Sequence, residues 1–412
     1  MTLTPYNVLV GAGLMLVQFL LALPWLLLVQ FDWAERQKLW QKPFSPQVQQ
    51  WLLGIVVLCL VGPIVLFQFV QDQGSLENVG RLYGAILQLQ VTINLFIAGF
   101  ALLLLIWPKG GAVTLAAFRE AVRQWLFWLL TGLAAFAMFI SIVLPYFTFG
   151  EDYLMVKQLG YDTIMFIAVL FGTLAASLSI TEEIEGRTAI TVISKPVSRR
   201  QFMLGKFVGI LLAALFMFGL LGVFFEGVLL VKHWWEKLET PVAPLPTWAV
   251  TMLENSGLAI TLRGLLTGIG QWLVHTLDTL PALVLCYSQV MVLVGLAVAL
   301  ATRVPMVVNL TTVLAVFILA HLTPVLVLVA RDASNKDPGA TVPQLLGFVA
   351  GVFDTILPAL RLFSVESALI SDAPPPPWQF VQYVGMVTIY GIFFTLIALL
   401  FGLFLFEDRD LA

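Results

Sequence analysis

The chain has 412 residues, of which 60% are hydrophobic and 11% charged, with a mean hydropathy of +0.97 and a formal net charge of −3. Soluble domains carry roughly a quarter charged residues and under half apolar ones, so a water-facing globular protein is excluded. Lipid is the main solvent for this chain.

A membrane-crossing helix needs about 20 mostly apolar residues. Residues 8–29, 52–70 and 86–107 meet this first. The leading segment before residue 8 carries no Lys or Arg, and the run is too long for a signal-peptide core, so it reads as a retained span. These three runs make an N-terminal membrane segment, residues 1–107. Residues 108–124 follow with Phe118 and Val122 on one side and Arg119, Glu120 and Arg123 on the other. That pattern suits either a helix on the inner membrane surface or a loop with a frayed helix.

Six further spans are expected at 125–147, 161–180, 207–231, 283–302, 306–329 and 380–406. Asp162 reads as a helix-start residue. The fold class is therefore an all-α polytopic membrane protein of about nine transmembrane helices: a six-helix core at 125–412 after three extra helices. No alternating strand pattern occurs, and water-free hydrocarbon demands internally bonded backbone.

The connections differ. Residues 302–305 form a tight turn, while 232–280 and 330–379 are long loops. Within them, the semi-apolar stretches 258–277 and 345–362 carry Arg263 and Asp354. A charge at mid-bilayer costs roughly 2.5–3.5 kcal/mol, which favours interfacial or re-entrant elements, with two additional spans as the alternative. Pro374–Pro377 is a stiff lead into the last span.

Charge asymmetry orients the chain. With the N-terminus outside, Arg36, Lys38, Lys42, Lys109, Arg119, Arg123, Arg187, Lys195, Arg199, Arg200, Lys206, Arg303 and Arg409 all fall on the cytoplasmic side, more than half of the 21 cations. Cytoplasmic enrichment of Lys and Arg supports this orientation, with the C-terminus inside the cell membrane. Cys59 and Cys286 sit inside spans and read as small apolar residues.

The cytoplasmic loop 181–206 stands apart. Three acids lead, Gly186 interrupts, Ile190 and Ile193 form an apolar face, and Pro196 stops the helix. Ser198 with Gln201 three residues on reads as a capping box for the next helix. Such a short amphipathic helix between two spans suits docking into a groove on a soluble partner. A basic loop that only sets topology is the plainer reading.

The sequence Glu-Glu-x-x-Gly-Arg-Thr followed by Ile-Ser-x-Pro-Val-Ser-Arg-x-x-Phe-x-x-Gly-Lys resembles the cytoplasmic loop of type-two ABC transporter permeases. On the residues here, the matching positions are Glu182, Glu183, Gly186, Arg187, Thr188, Ser194, Pro196, Arg199, Gly205 and Lys206. Leu357-Pro-Ala-Leu-Arg-Leu-Phe363 and Phe406-Glu-Asp-Arg-Asp-Leu411 are weaker matches, so the resemblance spans about 125–412. It implies a loop that contains the coupling helix, a separate ATPase subunit that binds ATP and Mg, a permease dimer or pair, and mostly export. The first three spans are extra to the simplest family pattern.

The chain has no Gly-x-x-x-x-Gly-Lys-Ser/Thr loop, so it has no phosphate cradle or ATPase site of its own. It also lacks His-Glu-x-x-His, with His233, His275 and His321 near external span ends, and it lacks Gly-x-Ser-x-Gly. A non-transporting scaffold or sensor subunit is the rival. Candidate path residues are Glu226, Gln289 and Asn309; interhelical hydrogen bonding also explains the last two with Ser288, Thr311 and Thr312. Glu226, with Lys232 on the same helix, reads equally as a side chain snorkelling to the outer interface. No metal, cofactor or nucleic-acid site is expected in the chain.

Overall fold

The computed structural model describes residues 5–27, 46–70, 72–144, 152–181, 198–235, 244–336, 341–364 and 376–407. Among these, every regular element is helical. The helices are α1 (Pro5–Ala22, continued by a 3-10 turn Leu23–Leu27), α2 (Pro46–Phe69), α3 (Gln73–Ile106), α4 (Pro108–Arg123) and α5 (Trp125–Ser141). Next come α6 (Asp152–Ala176, ending in a π-helical turn Ser177–Thr181), α7 (Arg199–Trp235), α8 (Thr247–Asn255) and α9 (Ile260–Ala301). The last are α10 (Met306–Lys336), α11 (Thr341–Ile356), a 3-10 turn Leu360–Phe363 and α12 (Pro377–Glu407).

Among the described residues, seven helices are long and apolar enough to cross a membrane, and the pair α4–α5, bent by 59°, makes up to eight if it is taken as one broken span. Gln124 makes that bend with extended backbone (φ −64°, ψ 136°), and Pro108 opens α4 at a position where its missing N–H costs nothing. The ninth expected span falls on α2, whose apolar stretch Leu53–Leu66 is shorter.

The structure differs from the sequence reading in three places. Residues 258–277 are neither a separate interfacial element nor re-entrant, because they are the first part of α9. At 1.5 Å per residue, its 42 residues measure about 63 Å, beyond the roughly 45 Å of a bilayer with headgroups. Part of α9 therefore has room outside the hydrocarbon, and Arg263 in its first turn donates to the Leu258 carbonyl at 2.8 Å. In the other semi-apolar stretch, residues 345–356 belong to α11, which is too short to span, so no difference arises there. Asp162 does not start a helix; α6 begins at Asp152, and Asp162 lies exposed within it. The grouping also differs.

The chain forms two units, residues 1–102 with 238–278, and residues 103–237 with 279–412. Residues 238–278, read above as part of the core, instead group with the N-terminal helices.

In the first unit, α3 and the start of α9 touch backbone to backbone through small residues. A Cβ on Gly80 would run into the Leu265 carbonyl, and one on Gly268 into the Glu77 carbonyl. A Cβ on Gly84 would stand 2.9 Å from the Trp272 side chain. Small residues four apart let membrane helices approach this closely, since lipid supplies no hydrophobic drive between them. Polar pairs close the seam: Arg81 donates from Nε and Nη2 to Gln271 Oε1 at 3.0 and 2.7 Å, and Trp272 Nε1 donates to Gln88 Oε1 at 2.7 Å. Asn94 and Tyr83 donate to the Leu21 and Leu14 carbonyls of α1 at 2.7 and 2.8 Å.

In the second unit, α5, α6, α7, α9, α10 and α12 share one apolar core that includes Phe127, Phe171, Met217, Phe225, Val294 and Phe406. Phe127 meets Phe171 edge-on with centroids 5.3 Å apart, and Tyr161 meets Phe225 at 5.1 Å. Helix α4 is held on α7 by a second glycine seam. Its buried stripe is Gly110, Gly111, Thr114, Ala117 and Ala121. Opposite lie Gly205 and Gly209, where a Cβ would stand 2.8 Å from Val113 and 2.6 Å from the Thr114 carbonyl.

Candidate functional site

Residues 182–197, which hold Glu182, Glu183, Gly186, Arg187, Thr188, Ser194 and Pro196, lie outside the described residues. The structure does show how both ends of this loop are fixed.

The far end is the N-terminus of α7. The Gln201 N–H donates to Ser198 Oγ, and the Ser198 N–H donates to Gln201 Oε1, both at 3.2 Å. This is the expected capping box, which satisfies two orphan donors reciprocally. Arg199, next in line, donates from Nη1 to the Phe406 carbonyl at 3.2 Å and lies 5.7 Å from the Phe406 ring centre. Arg303, in the 302–305 turn, donates to the Leu405 carbonyl at 2.8 Å. Two cations thus sit at the C-terminus of α12, where unpaired carbonyls and the helix dipole favour positive charge. Start of α7, short turn and end of α12 therefore share one face of the unit.

The near end is the π-helical turn Ser177–Thr181. Such turns are rare and widen the backbone by one residue. Two of its side chains are held. Asn309 Nδ2 donates to Ser177 Oγ and to the Ala297 carbonyl, each at 2.9 Å, which ties α6, α9 and α10 together. Asn309 is fully buried, and its Oδ1 has no partner among the described residues. Ser179 accepts from Lys206 Nζ at 2.7 Å and donates to Glu120 Oε2 at 3.3 Å. Lys206 Nζ also meets Glu120 Oε2 at 3.1 Å.

Three helices meet in this cluster: α4 supplies Glu120, the end of α6 supplies Ser179 and the start of α7 supplies Lys206. The Lys206 side chain is 6% exposed and that of Glu120 43%. A buried ammonium costs several kcal/mol unless paired, and here it has a carboxylate, a hydroxyl and the Phe202 ring 5.9 Å away. Sequence reasoning singled out Lys206 but not Glu120, Ser177 or Ser179. A lysine eight residues inside a long apolar helix signals a hidden partner, yet that partner is 86 residues away in sequence.

The three candidate path residues have three different sets of neighbours. Asn309 belongs to the loop base. Gln289 is buried partway along α9, its Nε2 lying 3.4 Å from His321 Nε2 on α10. Glu226 is fully buried and accepts from Thr279 Oγ1 at 3.3 Å. Lys232 is also buried and donates to the Ile142 carbonyl at 3.3 Å. The snorkelling reading of Glu226 is therefore wrong, because packing between α7 and α9 encloses it. His321 lies in the middle of α10 and not at its end.

The stretch that carries the loop and its flanking helices is similar to a known family. Residues 121–263 match the family model described as ABC-2 family transporter protein. No curated protein matches the chain. The ABC-2 match runs from the end of α4 to the start of α9, so it contains the loop, Ser179, Lys206 and Glu226. Glu120 lies one residue before it, and Gln289 and Asn309 beyond it. The match supports a membrane-embedded ABC transporter subunit, and the helices make the chain a multi-pass membrane protein.

Proposed function

We propose that this chain is the permease of an ABC exporter, in which loop 181–206 docks on a separate ATPase subunit that binds ATP and Mg. Two permeases, identical or paired, work with two ATPases in the cell membrane. One observation carries the reading: both ends of the loop are fastened into the packed helices, one by Arg199 on the end of α12 and one by the held π-turn. A loop that served only as a topological anchor needs no such attachment. ATP-driven movement of the loop reaches the spans without being lost in slack chain. Glu182, Glu183, Gly186, Arg187, Thr188, Ser194 and Pro196 form the docking element. Substrate contact stays with residues such as Glu226 and Gln289, at separate depths.

The test is capture of an ATP-hydrolysing subunit through a tag on this chain. Glu183→Lys is expected to cut recovery of that subunit at least tenfold at unchanged membrane abundance. A charge pair buried at such an interface is worth about 2–5 kcal/mol when one partner is lost. Glu35→Lys, in the other cytoplasmic loop, is the control. Equal recovery from both variants returns the chain to the scaffold class.

Orientation has its own test. The proposed topology places Lys195 in the cytoplasm and Ala333, in the last turns of α10, outside. Single cysteines there, in a background without Cys59 and Cys286, are expected to react with an impermeant maleimide in intact cells only at Ala333. Labelling of Lys195→Cys instead reverses the topology.

A further inference from the structure

The loop base shows which residues carry motion from loop to membrane. We infer that Glu120 and Ser179 are positioning residues of the coupling step: with Lys206 they form a joint that makes α4 follow the loop. This inference rests on the permease reading.

The chemistry of the cluster is directional. Lys206 donates to both Glu120 and Ser179, and Ser179, having accepted from the lysine, donates to the same Glu120 oxygen. All three pairs close a triangle around the buried Lys206 ammonium, so moving Glu120 or Ser179 away from it weakens the pairing of a buried charge. That penalty is larger in a dry environment than on a surface. Ser179 lies in the turn that precedes the loop, and Lys206 lies one helical turn beyond Phe202, after the loop. The two loop ends are thus joined to each other through the cluster as well as through the loop itself.

Glu120 adds the third body. Helix α4 is bent 59° from α5, so the two are joined but not coaxial. It touches α7 along Gly205 and Gly209, where contact with Val113 and the Thr114 carbonyl leaves no space for a side chain. Seam and cluster lie on the same two helices, with Lys206 beside Gly205. The seam prevents separation, and the Glu120–Lys206 pair fixes the sliding register. A shift of the loop that carries Lys206 therefore carries α4, and α4 leads through the Gln124 bend into the span α5. Asn309 holds Ser177, two residues before Ser179, to α9 and α10, so the same turn also answers to those helices.

A merely structural pair is separated from a joint by charge exchange in the complex of this chain with its ATPase, isolated through a tag on this chain and placed in liposomes. The readout is ATP hydrolysis measured as phosphate release, in parallel with recovery of the ATPase. Glu120→Lys places two ammonium groups together while leaving the docking loop untouched. The expected result is retained ATPase recovery with permease-dependent hydrolysis lowered about tenfold. Lys206→Glu alone is expected to lose that hydrolysis too. The double exchange E120K/K206E, which restores one acid facing one base, is expected to return to within twofold of the unmodified complex. Ser179→Ala is expected to give an intermediate loss, because the pair itself remains.

Two results overturn the joint: full hydrolysis in Glu120→Lys, or single variants that fail and are not rescued by the double exchange. If the unmodified chain recovers no ATPase at all, the permease reading itself fails, a result seen before any variant is made.

Discussion

Gly209→Val is expected to force α4 away from α7 and to remove most of the folded protein from detergent extracts. A Cβ at Gly209 would stand 2.6 Å from both the Ala117 Cβ and the Thr114 carbonyl, and 3.1 Å from the Phe118 nitrogen. Two of these three neighbours are backbone, which cannot rotate aside as a side chain does. Helix propensity argues in the opposite direction, since glycine is the poorer helix former by about 1 kcal/mol. Overpacking a tight contact costs about 1–3 kcal/mol, more when backbones must part, so packing wins. Gly132→Ala is the matched control, because nothing lies within 4 Å of a Cβ there. Thermal unfolding followed by size-exclusion chromatography should show a Tm several degrees lower for Gly209→Val and no loss for Gly132→Ala. Equal Tm values would mean that the seam is looser than these distances require.

Gly268→Leu is expected to open the corresponding seam in the other unit while sparing the core. Its new side chain would meet the Glu77 carbonyl, with the Arg81 nitrogen 3.0 Å away. The Gly80 side offers no relief, because it is pressed on the Leu265 carbonyl. Parting these backbones also separates Arg81 from Gln271 and Trp272 from Gln88, leaving polar groups unpaired in lipid. A loss of about 2–3 kcal/mol lowers hydrogen-exchange protection by roughly 30- to 150-fold where opening is local. That drop is expected in residues 73–92 and 260–276, with residues 207–230 of α7 unchanged. Unchanged protection across 260–276 would refute the seam; a uniform drop would show that the two units unfold as one.

The spans were legible because about 20 successive apolar residues have one physical solution in lipid. The capping box at Ser198 and Gln201 was legible because its partners are three residues apart. Distance in sequence hid the rest. Glu120 looked like one charge among several on a polar face until Lys206 was brought to it. The extent of α9 was hidden because residues 258–277 were set apart in a long loop on account of Arg263; the helix instead continues through Pro281, since proline is tolerated where neighbouring groups re-satisfy the backbone. Asp162 misled because the polar residues before it were assigned to a loop, although they form the first turns of α6. Burial of Glu226 depended on Thr279, 53 residues later, so no local rule could place it.

The first unit is split in sequence, and this orders its assembly. Helices α1 to α3 leave the ribosome long before residues 238–278, with all of 103–237 made in between. At roughly 5–20 residues per second, that interval is on the order of ten seconds. Throughout it, Gly80 and Gly84 face lipid and not α9, and Arg81 and Gln88 lack the partners that Gln271 and Trp272 later supply. The early helices are thus a half-built product whose polar seam is open to chaperones, insertases or quality-control proteases, and closes only when the middle of the chain arrives.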